Sequence, residues 1–139
     1  MVKFIAGGKG AGKTRILIDM ANKDVKTTDG RLVFIDDDKR HIYDLHRDIR
    51  FVDSGKRVLS NYREFIGFVL GILSMDSDIE TIYVDGLNNI IKVVENEDLV
   101  KLATRLQKLS EENSVNFIIC INCQAELLPE EIKELIIRS

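Results

Sequence analysis

The amino-acid sequence predicts a three-layer α/β/α fold built on a mostly parallel sheet. Three observations carry that prediction. Predominantly apolar runs at 2–6, 31–35, 79–85 and 115–121 lack the strict alternation of strands with one wet face and fit strands covered on both. Segments of helical period separate them, clearest at 97–113, where Leu99, Leu102, Ala103, Leu106 and Leu109 fall at helical spacing with charges opposite. The first run also passes through a glycine-rich turn directly into an amphipathic helix, the order that opens a βαβ unit.

A chain of 139 residues is expected to form one domain and to bury about two thirds of its unfolded surface. With 45% hydrophobic and 31% charged residues its composition is that of a globular protein. The net charge of −3, with acidic and basic residues interleaved, argues against a large nucleic-acid footprint and leaves room only for a local basic patch. No apolar run approaches the ~20 residues that span a bilayer, and the start of the chain lacks the charged lead and long apolar core of a signal peptide. A cytoplasmic location is expected. Cys120 and Cys123 have no second ligand pair at zinc spacing, and Cys120 lies inside an apolar run, so two reduced cysteines, one of them buried, are expected.

The first run and turn read Val-Lys-Phe-Ile-Ala-Gly-Gly-Lys-Gly-Ala-Gly-Lys-Thr over 2–14, matching the spacing G-x-x-x-x-G-K-[ST] with Gly7 in first place. The turn comprises Gly7, Gly8, Lys9, Gly10, Ala11 and Gly12. Its glycines let the backbone curl until N–H groups point inward as a nest for phosphate oxygens. Lys13 adds a compact positive charge for the terminal phosphates, and the Thr14 hydroxyl suits Mg²⁺. A helix beginning there turns the positive end of its dipole toward the same place. Lys9 reads as a solvated loop charge that reaches phosphate from outside.

Along the rest of the chain, Asp29-Gly30 signals a turn into the run 31–35, which ends in Asp36-Asp37-Asp38. These aspartates stand where open α/β sheets place ligands, and they equally suit a solvated acidic turn that caps the next helix. Residues 39–46 form a modest helix candidate; His41 and His46, five apart, share no helix face and read as surface residues. Residues 50–53 make a short strand candidate. Asn61 and Glu64 form a capping box for a helix apolar on nearly every side, expected to be buried on the sheet with Gly67 and Gly71 permitting close backbone approach. The run 79–85 ends in Asp85, a carboxylate suited to hold Mg²⁺ beside Thr14. A short helix is expected over 87–94. The run 115–121 leads to Asn122-Cys123-Gln124, whose amide either senses a γ-phosphate or sits in a surface loop. Pro129 opens a helical turn, and 134–138 is expected to form a last edge strand.

The segment 7–14 resembles the Walker A loop of P-loop NTPases, and 79–85 looks like their Walker B strand. The partition-type ATPases carry a signature lysine at the second loop position, which is Gly8 here, so the resemblance does not extend to them. Gly30 to Asp38 is similar to the second strand of RecA-type ATPases, which ends in a glutamate that activates water. The matching residue is Asp38, one methylene shorter. Ile119 to Gln124 resembles the strand that ends in the phosphate-sensing glutamine, with one extra residue. The resemblance covers Val2 to Gln124 and implies a sheet ordered tail strand, 2–6, 115–121, 80–85, 31–35, 50–53. The length also resembles small bacterial P-loop ATP-binding proteins. Gly86 stands where many such ATPases carry a glutamate after the Walker B aspartate.

The resemblance implies an ATP site with Mg²⁺ on Thr14 and Asp85, and Lys13, Asp38 and Gln124 in catalytic roles. Three functions fit: a slow ATPase, stimulated by a protein partner or by self-assembly; a nucleotide-binding switch that recruits a protein; and, last, a small-molecule kinase, for which no arginine-rich lid is visible. Arg138 is the most C-terminal candidate for an arginine finger.

Overall fold

A computed structural model describes residues 1–55, 58–91 and 95–137. Five strands, β1 (Val2–Gly7), β2 (Arg31–Asp36), β3 (Arg50–Asp53), β4 (Ile79–Val84) and β5 (Asn116–Asn122), form one sheet in the order β1-β5-β4-β2-β3, with every pairing parallel. This is the strand order that the RecA resemblance implied. The tail contributes less than a strand. Phe4 bridges to Ile136, its N–H donating to Leu135 O (3.0 Å) and its carbonyl accepting from Ile137 N–H (2.8 Å). Arg138 lies outside the described residues.

The continuous apolar runs are explained by two cores. On one face, α1 (Lys13–Asp24) packs Leu17, Ile18 and Ala21 against Ile5, Leu32, Phe34, Tyr83, Ile118 and Cys120. On the other, α2 (Tyr62–Met75) and α4 (Asn96–Asn113) pack against Phe4, Val33, Ile35, Ile82, Val84, Phe117 and Ile119. Neighbouring residues of each strand thus enter opposite cores, which is why the central strands are apolar at most positions, with Thr81 in β4 and Asp36 at the end of β2 as buried polar residues. Two short helices, α3 (Leu87–Ile90) and α5 (Glu130–Lys133), bury Leu87, Ile90 and Ile132 in the second core. Lys92 to Val94, the rest of the helix expected after β4, lie outside the described residues.

The helix expected to be buried on nearly every side is one-sided. It buries Tyr62, Phe65, Ile66 and Val69, while Leu70 is 44% and Met75 86% exposed. Gly67 and Gly71 meet nothing: a Cβ on either would find open space, so they permit no close approach. The sheet offers only one face to α2, and α4 covers one further flank. The capping box forms with its return arm moved by one residue. Asn61 Oδ1 accepts from Glu64 N–H (3.0 Å), whereas Glu64 Oε1 accepts from the N–H of Ser60 (2.9 Å). Residues 39–44 form a 3₁₀ turn rather than an α-helix.

The turn at Gly30 fits because that residue lacks a side chain. A Cβ there would stand 2.7 Å from the carbonyl oxygen of Asp78 and 3.0 Å from Cβ of Glu80. Arg31 N–H donates to the same carbonyl (2.8 Å), so the oxygen is held in place. Gly30→Ala is therefore expected to destabilise the protein by about 1–3 kcal/mol through overpacking. Urea denaturation checks this; an unchanged midpoint would show that the β2 entry yields freely.

Candidate functional site

At the carboxyl edge of the sheet β1 ends at Gly7 and α1 begins at Lys13, with Gly10 (φ 87°) and Gly12 (φ 82°) in the left-handed region. L-residues with a Cβ rarely adopt these angles, which explains the glycines at these two positions. The loop is closed from within: Gly8 O accepts both Ala11 N–H (3.2 Å) and Lys13 Nζ (2.8 Å). Lys13 is 8% exposed, its ammonium already folded into the loop.

A cavity of about 450 Å³ opens beside this loop. Lys9, Gly10, Gly12, Lys13 and Thr14 line one side. The facing side is formed by Asp36, Asp37, Asp38, His41 and Asp85, with Gly86, Asn89 and Asn122 at the rim. Gly7, Gly8 and Ala11 shape the loop without lining the cavity. The parallel register puts β4 beside β2, and Asp85, one residue past β4, donates its N–H to Ile35 O (2.9 Å). Its carboxylate accepts from Thr14 Oγ1 at 2.9 Å. The hydroxyl and carboxylate expected to share a cation thus meet, 71 residues apart in sequence, in a pocket where Asp85 is only 6% exposed. This donor set fits Mg²⁺, a hard cation held by a few oxygen ligands together with phosphates. Burial raises the Asp85 carboxyl above its ordinary range, against the pull of Thr14 and His41.

Asp36 and Asp38 have opposite surroundings. Asp36 is 2% exposed, and burial, with the charge of Asp85, raises its pKa to about 7 despite the hydrogen bond from His41. Asp38 caps the 3₁₀ turn, accepting from Arg40 N–H (3.0 Å), and its carboxylate is gripped by the Arg40 guanidinium through Nε (2.9 Å) and Nη2 (2.7 Å). Those hydrogen bonds hold Asp38 far below the usual carboxylate range. The residue expected to activate water therefore lines the cavity with both oxygens engaged.

His41 is not a surface residue. The 3₁₀ turn carries its ring back to the strand end, where Nδ1 lies 2.5 Å from Asp36 Oδ2 and 3.9 Å from Asp85 Oδ2. Partial burial lowers its pKa, but the Asp36 hydrogen bond and the charges of Asp36, Asp38 and Asp85 outweigh this and raise it. Spacing to His46 carried no sign of this. The usable signal was Asp38 itself, an aspartate at the start of a short turn that reverses the chain three residues later. Gln124 is exposed and outside the cavity; the strand-end amide that reaches it is Asn122, whose N–H donates to Asn88 Oδ1 (2.8 Å). Asn89 also escaped sequence reasoning. Cys120 is buried beneath the loop, its Sγ 3.7 Å from Lys13 O, and burial pushes its thiol well above the ordinary range. Both cysteines are free.

A second cleft, about 510 Å³, lies at the opposite edge of the sheet among Arg31, Arg47 and Arg50. It is the larger of the two; Asp48 lines it as well, and Arg31 is paired with Asp76 (3.0 Å). Parallel α/β sheets take ligands beyond the carboxyl ends of their strands, and there the loop, Lys13, Thr14 and Asp85 converge.

The sheet order, the two helical layers and the loop between β1 and α1 define a RecA-like P-loop fold. No family model and no curated protein matches this chain. Among solved structures, it is similar to a KaiC-like protein from the hyperthermophilic archaeon Pyrococcus horikoshii, with a TM-score of 0.63 at 16% identity. The match covers 96% of this chain and 66% of that one, so the chain spans just under two thirds of its neighbour. At that identity the likeness establishes the fold alone. No helix among the described residues is long and apolar enough to cross a membrane.

Proposed function

We propose that the chain binds a Mg-nucleoside triphosphate, with ATP as the expected ligand, and hydrolyses its β–γ phosphoanhydride slowly in the cytoplasm. The observation that carries this reading is the Thr14–Asp85 hydrogen bond beside a loop with Lys13 folded into it. The amides of Lys9, Gly10, Gly12, Lys13 and Thr14, the loop residues that line the cavity, and the Lys13 ammonium bind phosphate oxygens, while Gly7, Gly8 and Ala11 hold the loop in shape. Thr14 and Asp85 hold Mg²⁺, which supplies neutralisation of charge on the terminal phosphates. In the chemical step a water oxygen bonds to the γ-phosphorus as the bond to the bridging oxygen breaks, and the water's proton passes to a carboxylate. Asp38 takes that role once Arg40 lets go of it, and the strand-end amide senses the γ-phosphate. The sequence assigned that sensing to Gln124; Asn122 is the amide with access. A kinship with small bacterial P-loop ATP-binding proteins rests on loop spacing and length alone.

A second reading, a nucleotide-binding switch that recruits a protein or a second copy of the chain, is favoured by the same Asp38–Arg40 pair. A carboxylate held far below its ordinary pKa is a weak base. Gly86 after Asp85 adds no second carboxylate. Steady-state phosphate release at saturating Mg-ATP separates the two. Hydrolysis predicts release above background in the wild type, falling on the order of 10²-fold in Asp38→Asn. Background release by the wild type would leave the switch reading alone.

A further inference from the structure

The two strand-end carboxylates have a third partner that phosphate chemistry does not explain. Ile35 pairs with Val84, so Asp36 and Asp85, one residue further along each strand, come together at the sheet edge. The turn after β2 then sets His41 between them. Their donor atoms all lie within 4.8 Å of one another. Each comes from a different element, and both aspartates are buried. Two carboxylates withdrawn from water repel each other and favour a cation between them. A Mg²⁺ ion bound with nucleotide takes oxygen donors and has no use for an imidazole. One imidazole with two carboxylates is a donor set for first-row transition ions.

We infer that Asp36, His41 and Asp85 form a three-ligand site for a divalent transition-metal ion, filled without nucleotide. Metal–ligand bonds of ~2.1 Å place adjacent donor atoms about 3 Å apart. The separations of His41 Nδ1 from Asp36 Oδ2, 2.5 Å, and from Asp85 Oδ2, 3.9 Å, bracket that value. Small side-chain shifts therefore close the three donors around an ion that takes the place of the hydrogen-bonded proton. Asp37, on the same cavity wall, adds negative potential around it, whereas the charge of Asp38 is matched by Arg40.

Mn²⁺ alone, without nucleotide, is the probe. Paramagnetic resonance of the titrated ion is expected to show one bound Mn²⁺ per chain, with hyperfine coupling to an imidazole nitrogen. An equal concentration of Mg²⁺ is expected to leave it in place. His41→Gln should lose the nitrogen coupling and weaken binding at least tenfold while retaining the wild-type circular dichroism. Lys13→Ala should bind Mn²⁺ like the wild type, so failure of the nucleotide reading and failure of this one are distinguishable. No binding without nucleotide would make His41 only a counter-ion to the aspartates and overturn the proposal. Bound Mn²⁺ lacking nitrogen coupling, or displaced by equimolar Mg²⁺, would overturn it as well. The coupling is read on the wild type, so the test does not depend on how the variant folds.

Discussion

Lys13→Ala is expected to abolish most of the thermal stabilisation that Mg-ATP gives the wild type. The ammonium is nearly buried and donates to Gly8 O at 2.8 Å, held at the base of the loop before any ligand arrives. Hydrogen bonds from a charged donor to phosphate are each worth about 1.5–3 kcal/mol, so losing the ammonium lowers affinity on the order of 10²-fold. A ligand at about 100 times its Kd stabilises the folded state by about 2.7 kcal/mol; at the same concentration and a 10²-fold weaker Kd, the gain is about 0.4 kcal/mol. For a domain of this size a shift on the order of 8 °C therefore falls to roughly 1 °C. Differential scanning fluorimetry with Mg-ATP and Mg-GTP makes the measurement and reads base preference as well. An unchanged shift in the variant would remove the loop from the nucleotide site. The side chain's one described hydrogen bond is to a carbonyl of its own loop, so the apo Tm should move little.

The second large effect concerns Asp36 and is read in the absence of divalent cations and nucleotide. Burial raises its pKa from 3.8 to about 7 in the folded protein. A raised folded pKa means that the native state holds its proton more tightly than the unfolded chain does. The associated stability is complete below the unfolded value of 3.8, declines as pH rises, and is gone just above 7. His41, with its pKa also raised, acts in the same direction at the upper end of that window. Asp36→Asn keeps an oxygen that accepts from His41 Nδ1 and removes the buried charge. From pH 5 to pH 8 the wild type should therefore lose stability relative to the variant by about 2–4 kcal/mol, on the order of 5–10 °C in Tm. Urea melts at pH 5, 6.5 and 8 in a chelating buffer compare the two. Parallel profiles would mean that the Asp36 carboxylate is solvated in the folded protein and that the strand-end cluster is looser than its geometry.

Much of the architecture was legible because its signals are local. An apolar run with no polar alternation is a strand covered on both faces whatever follows it, and Leu99 to Leu109 mark one helix face wherever the helix docks. The parallel order implied by the RecA resemblance is observed for its other five members, while the tail strand it placed at the edge is reduced to a bridge at Ile136. Helix α2 was harder to place: Phe65 to Leu73 is apolar all round, so periodicity could not tell which side the sheet would cover, and Leu70 and Met75 are left in water.

The site divides in the same way. Loop chemistry was readable residue by residue, since Gly10, Gly12, Lys13 and Thr14 meet their conformational and chemical requirements within a single turn. Asp85 was readable as the end of an apolar run, but its contact with Thr14 exists only because β4 and β1 lie in one parallel sheet separated by β5. The fate of the three aspartates was not local at all. Asp36 faces a half-buried histidine, Asp38 an arginine two residues away, and the choice between them depends on a 3₁₀ turn where an α-helix was expected. By itself, then, the sequence determined a P-loop on an α/β sheet, because spacing and residue type suffice for both. Only the tertiary structure decided that Asp36, His41 and Asp85 share one small volume and that Asn122, not Gln124, reaches the cavity. Such meetings depend on strand register and turn geometry, which few-residue patterns do not encode.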